Sequence, residues 1–164
     1  MTPPRRVGDE QERAFVEEFG MFFEQLGGPR MAGRIVGRLL VADPAEQSSA
    51  QLMRYLDASK ASISTMTRYL IQLQLIERVG VPGERIDHFR LRPGAFARLT
   101  EARVRQTSDA VAILERGLEL PVARTSPTVR HRIEEVREFY EYFRTQLLAT
   151  LARFEEHRSR PKRR

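Results

Sequence analysis

Residues 59–72 place hydroxyls, an ammonium, a guanidinium, a phenol and an amide around one side of a helical wheel. At helical spacing Ile63, Met66, Leu70 and Leu73 share a face, with Thr67 at its border. The other face carries Ala61, Ser62, Ser64, Thr65, Arg68, Tyr69 and Gln72, and Ser59 and Lys60 precede it. No Asp or Glu occurs between positions 58 and 75. A helix face that merely meets water usually mixes Glu with Lys, so a face without carboxylates is suited to an anionic partner. Short hydroxyls and free N–H groups at a helix start bind phosphate oxygens. Small side chains let a backbone enter a groove about 12 Å wide, where Arg and Gln reach base edges. The plainer alternative is an ordinary amphipathic helix with its polar side in water.

Other chemistries find less support. The chain has no Cys, which removes disulfides, thiolate metal sites and thiol nucleophiles. His88, His131 and His157 lie far apart and lack metal-ligand spacing. There is no Gly-rich phosphate loop, no Gly-x-Ser-x-Gly and no paired acidic motif. No enzymatic activity, metal or cofactor is expected.

The positive charge is unevenly placed. The net charge is +6, but Arg158, Arg160, Lys162, Arg163 and Arg164 contribute most of it. The high pI is therefore largely a property of the tail, which reads as a solvated end able to add non-specific phosphate attraction. With 41% apolar and 30% charged residues the chain can fold and should be mainly helical with solvated faces. No apolar run is long enough to span a membrane, and no secretory signal is visible, so a cytoplasmic protein that does not engage membranes is expected.

The elements that must position the polar face follow from periodicity and punctuation. A first helix over residues 9–26 carries Phe15, Val16, Phe19, Phe22, Phe23 and Leu26. Gly27 and Gly28 end it, and Pro29 suits the first turn of a second helix that runs to about Val41. Ser48 and Gln51 match a capping box for a short third helix. Asp57 and Ala58 make a tight turn, and Ser59 caps a fourth helix over about 60–74. The period then changes: residues 77–80 and 85–92 read as two strands joined by a turn, the only β-structure expected. Pro93 opens a long fifth helix to about Glu119, whose polar middle is a solvated face or part of a ligand pocket. Residues 120–125 read as a linker, and Ser126 with Pro127 starts a sixth helix.

Two short helices joined by a tight turn, backed by a two-stranded wing, make a winged helix-turn-helix. The expected fold is mainly α, with long N- and C-terminal dimerisation helices around that motif. The boundaries are a disordered N-terminus (1–8), an N-terminal dimerisation helix (9–28), a winged DNA-binding domain (29–92), C-terminal dimerisation helices (93–157) and a disordered basic tail (158–164).

The runs LDASKASIS (56–64) and LQLIERV (73–79) resemble the helix-turn-helix core of MarR-type regulators. The runs GPRMAGRI (28–35) and PGERIDHFRL (82–91), with Asp43, Pro44 and QSSA (47–50), resemble the GbsR-like branch. The likeness covers roughly residues 10–120. It implies a homodimer whose terminal helices interlock and whose wing tip enters the minor groove. In this chain Arg85 would make that contact alone, since Ile86 stands where many such wings have a second Arg. Asp57 and Gln74 both stand where the family usually has Gly. Asp tolerates the left-handed region, and Gln at the helix end costs about 1 kcal/mol or shifts that end.

The apolar stripes on the first, fifth and sixth helices exceed what a small winged lobe can cover. Phe15, Val136, Phe139, Tyr140, Phe143, Leu147 and Leu151 are therefore expected at a homodimer interface, the alternative being a monomeric bundle. The resemblance also implies an effector pocket between dimer core and winged lobe, which Phe19, Phe22, Phe23, Met31 and Ile35 are best placed to line. The expected function is a bacterial transcriptional regulator on a palindromic operator, a repressor released by a small-molecule effector. Its partners are double-stranded DNA, a second copy and that effector. The alternative is a winged-helix adaptor that binds protein rather than specific DNA.

Overall fold

The computed structural model describes residues 7–83 and 86–159. The chain forms α1 (Val7–Gln25), α2 (Arg30–Val41), β1 (Gln47–Ser48), α3 (Ser49–Leu56), α4 (Lys60–Gln72), β2 (Ile76–Val79), β3 (His88–Leu91), α5 (Ala95–Leu118), α6 (Pro121–Thr125) and α7 (Pro127–Ser159). Two compact units result, Met1–Ala95 and Phe96–Arg164. Val7 and Gly8 already belong to α1, and Arg158 and Ser159 close α7. The rest of the expected disordered ends lies outside the described residues.

In the first unit α1 lies along α2 at a distance only glycine allows. A Cβ added to Gly33 would stand 2.4 Å from Phe23 Cβ, 2.9 Å from Gly20 Cα and 2.9 Å from Phe19 O. Gly37 is close but less tight: a Cβ there would stand 3.1 Å from Phe19 Cβ and 3.2 Å from Val16 Cα. Gly27, at φ 83, turns the chain out of α1, and Gly28 N–H then donates to Phe23 O at 3.0 Å. Pro29 sits just before α2 rather than within its first turn, and no side chain caps that start. Ile35, Val36, Leu39, Leu52, Leu56, Ile63, Leu70, Leu75, Ile76 and Phe89 complete the core of this unit.

The sheet has three strands, in the order β1-β3-β2, one more than expected. The two residues of β1 pair antiparallel with β3, Gln47 opposite Phe89 and Ser48 opposite His88. The long hairpin pairs Ile76 with Leu91 and Val79 with His88. Ser48 thus serves twice: it pairs in the sheet and it caps α3. Its hydroxyl accepts from Gln51 N–H at 3.2 Å, and its own N–H donates to Gln51 Oε1 at 2.7 Å.

The second unit is helical. The expected linker contains α6, which starts at Pro121 and buries Ala123. The helix expected sixth is therefore α7, entered through Ser126, whose hydroxyl accepts from Val129 N–H at 3.4 Å. Gly117 of α5 leaves room for Ile133 of α7. The polar middle of α5 is mixed: Arg103, Arg105, Gln106 and Asp109 are exposed, but Thr107 is buried and turns its hydroxyl onto Arg103 O and Val104 O.

Glycine 33 gives the fold a direct test. Ala is intrinsically better in a helix by about 1 kcal/mol, but here its Cβ meets another Cβ and backbone, which rotamer changes cannot move. Gly33→Ala should lower unfolding stability by about 1–3 kcal/mol in urea titrations. Gly80→Ala, which adds a Cβ into open space, should stay within about 0.5 kcal/mol.

Candidate nucleic-acid interface

The turn between α3 and α4 is built by two residues. Asp57 takes the left-handed conformation, φ 50 and ψ 52, and its N–H donates to Met53 O. Ser59 then caps α4, its hydroxyl accepting from Ser62 N–H at 3.2 Å. The turn survives without Gly because Asp is among the few residues at ease in that region.

The inner face of α4 is Ile63, Thr67 and Leu70, all buried, with Met66 and Leu73 half-buried at its edges. Thr67, expected at the border, belongs to this face; its hydroxyl donates to Ile63 O at 2.8 Å and so needs no outside partner. The outer face gathers the expected polar set. Ser59, Lys60, Ala61, Ser64, Thr65, Arg68 and Gln72 are exposed, while Ser62 and Tyr69 are half-buried. Arg68 Nε donates to Ser64 O at 3.3 Å, which lays the side chain along the helix and leaves both Nη groups free among the described residues.

The helix ends in a second left-handed residue, Gln74 at φ 57. Leu75 N–H donates to Leu70 O at 3.0 Å and Gln74 N–H to Ile71 O at 2.9 Å, the pair of bonds that closes a Schellman end. Gln74 Oε1 accepts from Arg92 Nη1 at the outer limit of 3.5 Å.

The wing is anchored at its stem. Arg90 donates to Glu77 at 2.9 Å and stands 3.5 Å from Glu46; Arg92 stands 3.5 Å from the same Glu77. The hydrogen bond to Glu77 raises the Arg90 pKa above its ordinary value, against partial desolvation. A shallow cavity of about 490 Å³ opens beside this stem, lined by Glu46, Val79, Gly80, Val81, Pro82 and Arg90. Gly83 adopts φ 85 in the hairpin loop, and Ile86 is exposed. Arg85, expected at the wing tip, lies outside the described residues.

One exposed cation escaped the wheel argument. Arg54 of α3 makes no ion pair among the described residues, and with Leu52 and Leu56 buried it must face away from the core. The four-residue spacing of those two leucines, which puts them on one helix face, was the available signal. The expected pocket set, by contrast, divides. Phe23 and Ile35 are buried in the α1–α2 core, Phe19 and Met31 are half-buried, and Phe22 is exposed. The rings of Phe15, Phe19 and Phe22 instead form a row at centroid separations of 6.0 and 5.9 Å.

Comparison with known proteins decides the lineage. The chain is 39% identical over 142 residues to the HTH-type transcriptional regulator MmpR5 of Mycobacterium tuberculosis (strain ATCC 25618 / H37Rv), covering 87% of this chain and 86% of that one. The chain belongs to the MarR family. A profile for MmpR5-like MarR family transcriptional regulators matches residues 94–157. A crystal structure described as a transcriptional regulator superposes with a TM-score of 0.76 at 38% identity, covering 89% of this chain and 99% of that chain. The winged helix described above is thus the DNA-binding fold of a MarR-family transcriptional regulator.

Left-handed Gln74 carries a conformational cost that Gly would avoid. Gln74→Gly should raise unfolding stability by about 0.5–1 kcal/mol, read by chemical denaturation. A loss instead would show that the contact with Arg92 matters more than the backbone.

Proposed function

We propose that this MarR-family regulator acts as a homodimer on a palindromic operator, with one α4 in each of two successive major grooves. The observation that carries the reading is the outer face of α4: exposed, free of carboxylates, small at its start and holding one unpaired guanidinium in its middle. On this reading Arg68 and Gln72 read base edges, Tyr69 packs against them, and Ala61 and Thr65 let the helix approach. Ser59, Lys60, Ser62 and Ser64 contact phosphates, joined by Arg54 from α3, and Arg85 enters the minor groove.

The dimer reading rests on α7. This helix of 33 residues buries none of its side chains within one chain. Val136, Phe139 and Phe143 are exposed, with the rings of Phe139 and Phe143 stacked at 6.0 Å. Tyr140, Leu147 and Leu151 are half-covered on the same helix, and Phe15 is exposed on α1. A second copy is the economical cover for a stripe of that length.

The runs at 28–35 and 82–91 favour the GbsR-like branch. Repression relieved by a small molecule is suggested by the partly exposed rings of Phe19 and Phe22. An effector that weakens operator binding must itself bind more weakly, by the same factor, when operator is present, and titration calorimetry can read that. We assign no enzymatic activity, since no nucleophile–base arrangement emerges from the sequence. Reading DNA places the work in the cytoplasm, and none of the described helices is long and apolar enough to cross a membrane.

Sequence selection on the purified protein should return a two-fold symmetric site. Arg68→Ala should weaken binding to that site by about 1–3 kcal/mol and relax the base preference, with little change on random duplex. Unchanged affinity would remove α4 from the groove. Phe143→Glu should leave a monomeric, unstable or aggregated protein in sedimentation, whereas a well-folded wild-type monomer at micromolar concentration would overturn the dimer.

A further inference from the structure

The end of α3 is held by side chains from outside the helix-turn-helix. Arg13 of α1 donates from Nη1 to Tyr55 O at 2.9 Å, and Arg34 of α2 donates from Nη2 to Leu56 O at 3.1 Å. These are carbonyls that a helix end leaves without internal partners, and cations are favoured there. The ring of Tyr55 meets two guanidinium groups, Arg13 at 4.7 Å and Arg38 at 4.1 Å from its centroid. Each of the α2 arginines is itself fixed. Arg34 pairs with Glu17 at 2.6 Å, and Arg38 pairs with Glu12 at 3.3 Å and donates to Gln47 Oε1 at 3.3 Å. Gln47 is buried and opens β1, so the cluster joins α1, α2, β1 and α3.

Its position in the chain matters as much as its contacts. Leu56 is followed at once by left-handed Asp57, and Ser59 caps α4 two residues later. There is no slack between the held carbonyls and the start of α4. The apolar core beneath keeps α3 and α4 on α2, but apolar packing has no direction. Hydrogen bonds and guanidinium–ring contacts do, so they can fix the angle at which α4 leaves the turn.

We infer that Tyr55, Arg13, Arg34 and Arg38 form a positioning cluster that locks α4 to the α1–α2 frame and so sets which half-site spacing the regulator accepts. The inference rests on the homodimer reading above. None of the four contacts DNA in that reading. The hydroxyl of Tyr55 is shielded and has no hydrogen-bond partner among the described residues, so the ring, not the phenol, does the positioning.

The test uses the full-length protein, a duplex obtained by sequence selection, the same duplex with the half-sites moved one base pair closer or further, and a random duplex. Tyr55→Phe keeps the ring and should behave as wild type. Tyr55→Leu keeps apolar bulk but loses the guanidinium contacts. It should still sediment as a dimer and bind random duplex as before. It should lose about tenfold on the selected duplex and accept the altered spacings nearly as well. If Tyr55→Leu does not fold, Arg13→Gln, which removes the bond from α1 to Tyr55 O and one of the two ring contacts, reads the same property. A folded variant of either kind with the wild-type spacing profile overturns the cluster alone, as does a Tyr55→Phe protein that loses the profile. A monomeric wild type, or no symmetric site on selection, overturns the homodimer reading and this inference with it.

Discussion

The approach of α1 to α2 is the constraint on which the first unit depends. Gly33 and Gly37 leave no side chain between the helices, so Phe23 folds back over Gly28 and Gly33 while Val16 closes the other end. That proximity does more than bury surface. It brings Glu17 and Glu12 of α1 within reach of Arg34 and Arg38 of α2, and with Arg13 on Tyr55 it lets both helices act together on the end of α3. A larger residue at position 33 would push the helices apart and disturb these contacts. Chain positions far from the outer face of α4 therefore decide where that face points.

Within α4 the division of labour is made by burial. Thr67 satisfies itself on its own helix and costs nothing to bury, which leaves the remaining hydroxyls to the outer side. The wing is held differently. Arg90 and Arg92 share Glu77, and Arg90 also reaches Glu46 just before β1. These groups are substantially exposed, so water screens them and they orient the stem more than they stabilise it.

What was legible in the sequence was local. The capping box of Ser48 and Gln51, the tight turn at Asp57, the cap at Ser59 and the wheel of α4 each depend on residues within one or two turns. The left-handed end at Gln74 was flagged only by the resemblance, which has Gly at that position; the residue type itself gives no sign of it. What stayed hidden depends on distant partners. Gln47 and Ser48 form a strand only because β3 lies beside them, and nothing in two polar residues announces that. The aromatic stripe of α1 was visible, but not its partition: Phe23 turns inward because a glycine from another helix makes room, and Phe22 does not. The arginines of α2 carry no local signal of their role, which shows only once the end of α3 is placed against them.

The bare stripe of α7 has a consequence for the life of the molecule in the cell. A freshly made chain finishes its first unit from its own residues, but its longest helix still displays Phe139, Phe143, Leu148 and Phe154. Quality-control proteases and chaperones act on such surfaces, so on the homodimer proposed above a solitary chain would be a short-lived species. Survival then depends on the concentration of partners, and the steady amount of the protein responds to its synthesis rate more than proportionally. A copy with a damaged α4 but a sound α7 would still find a partner, and each mixed pair would take one good reading head out of service.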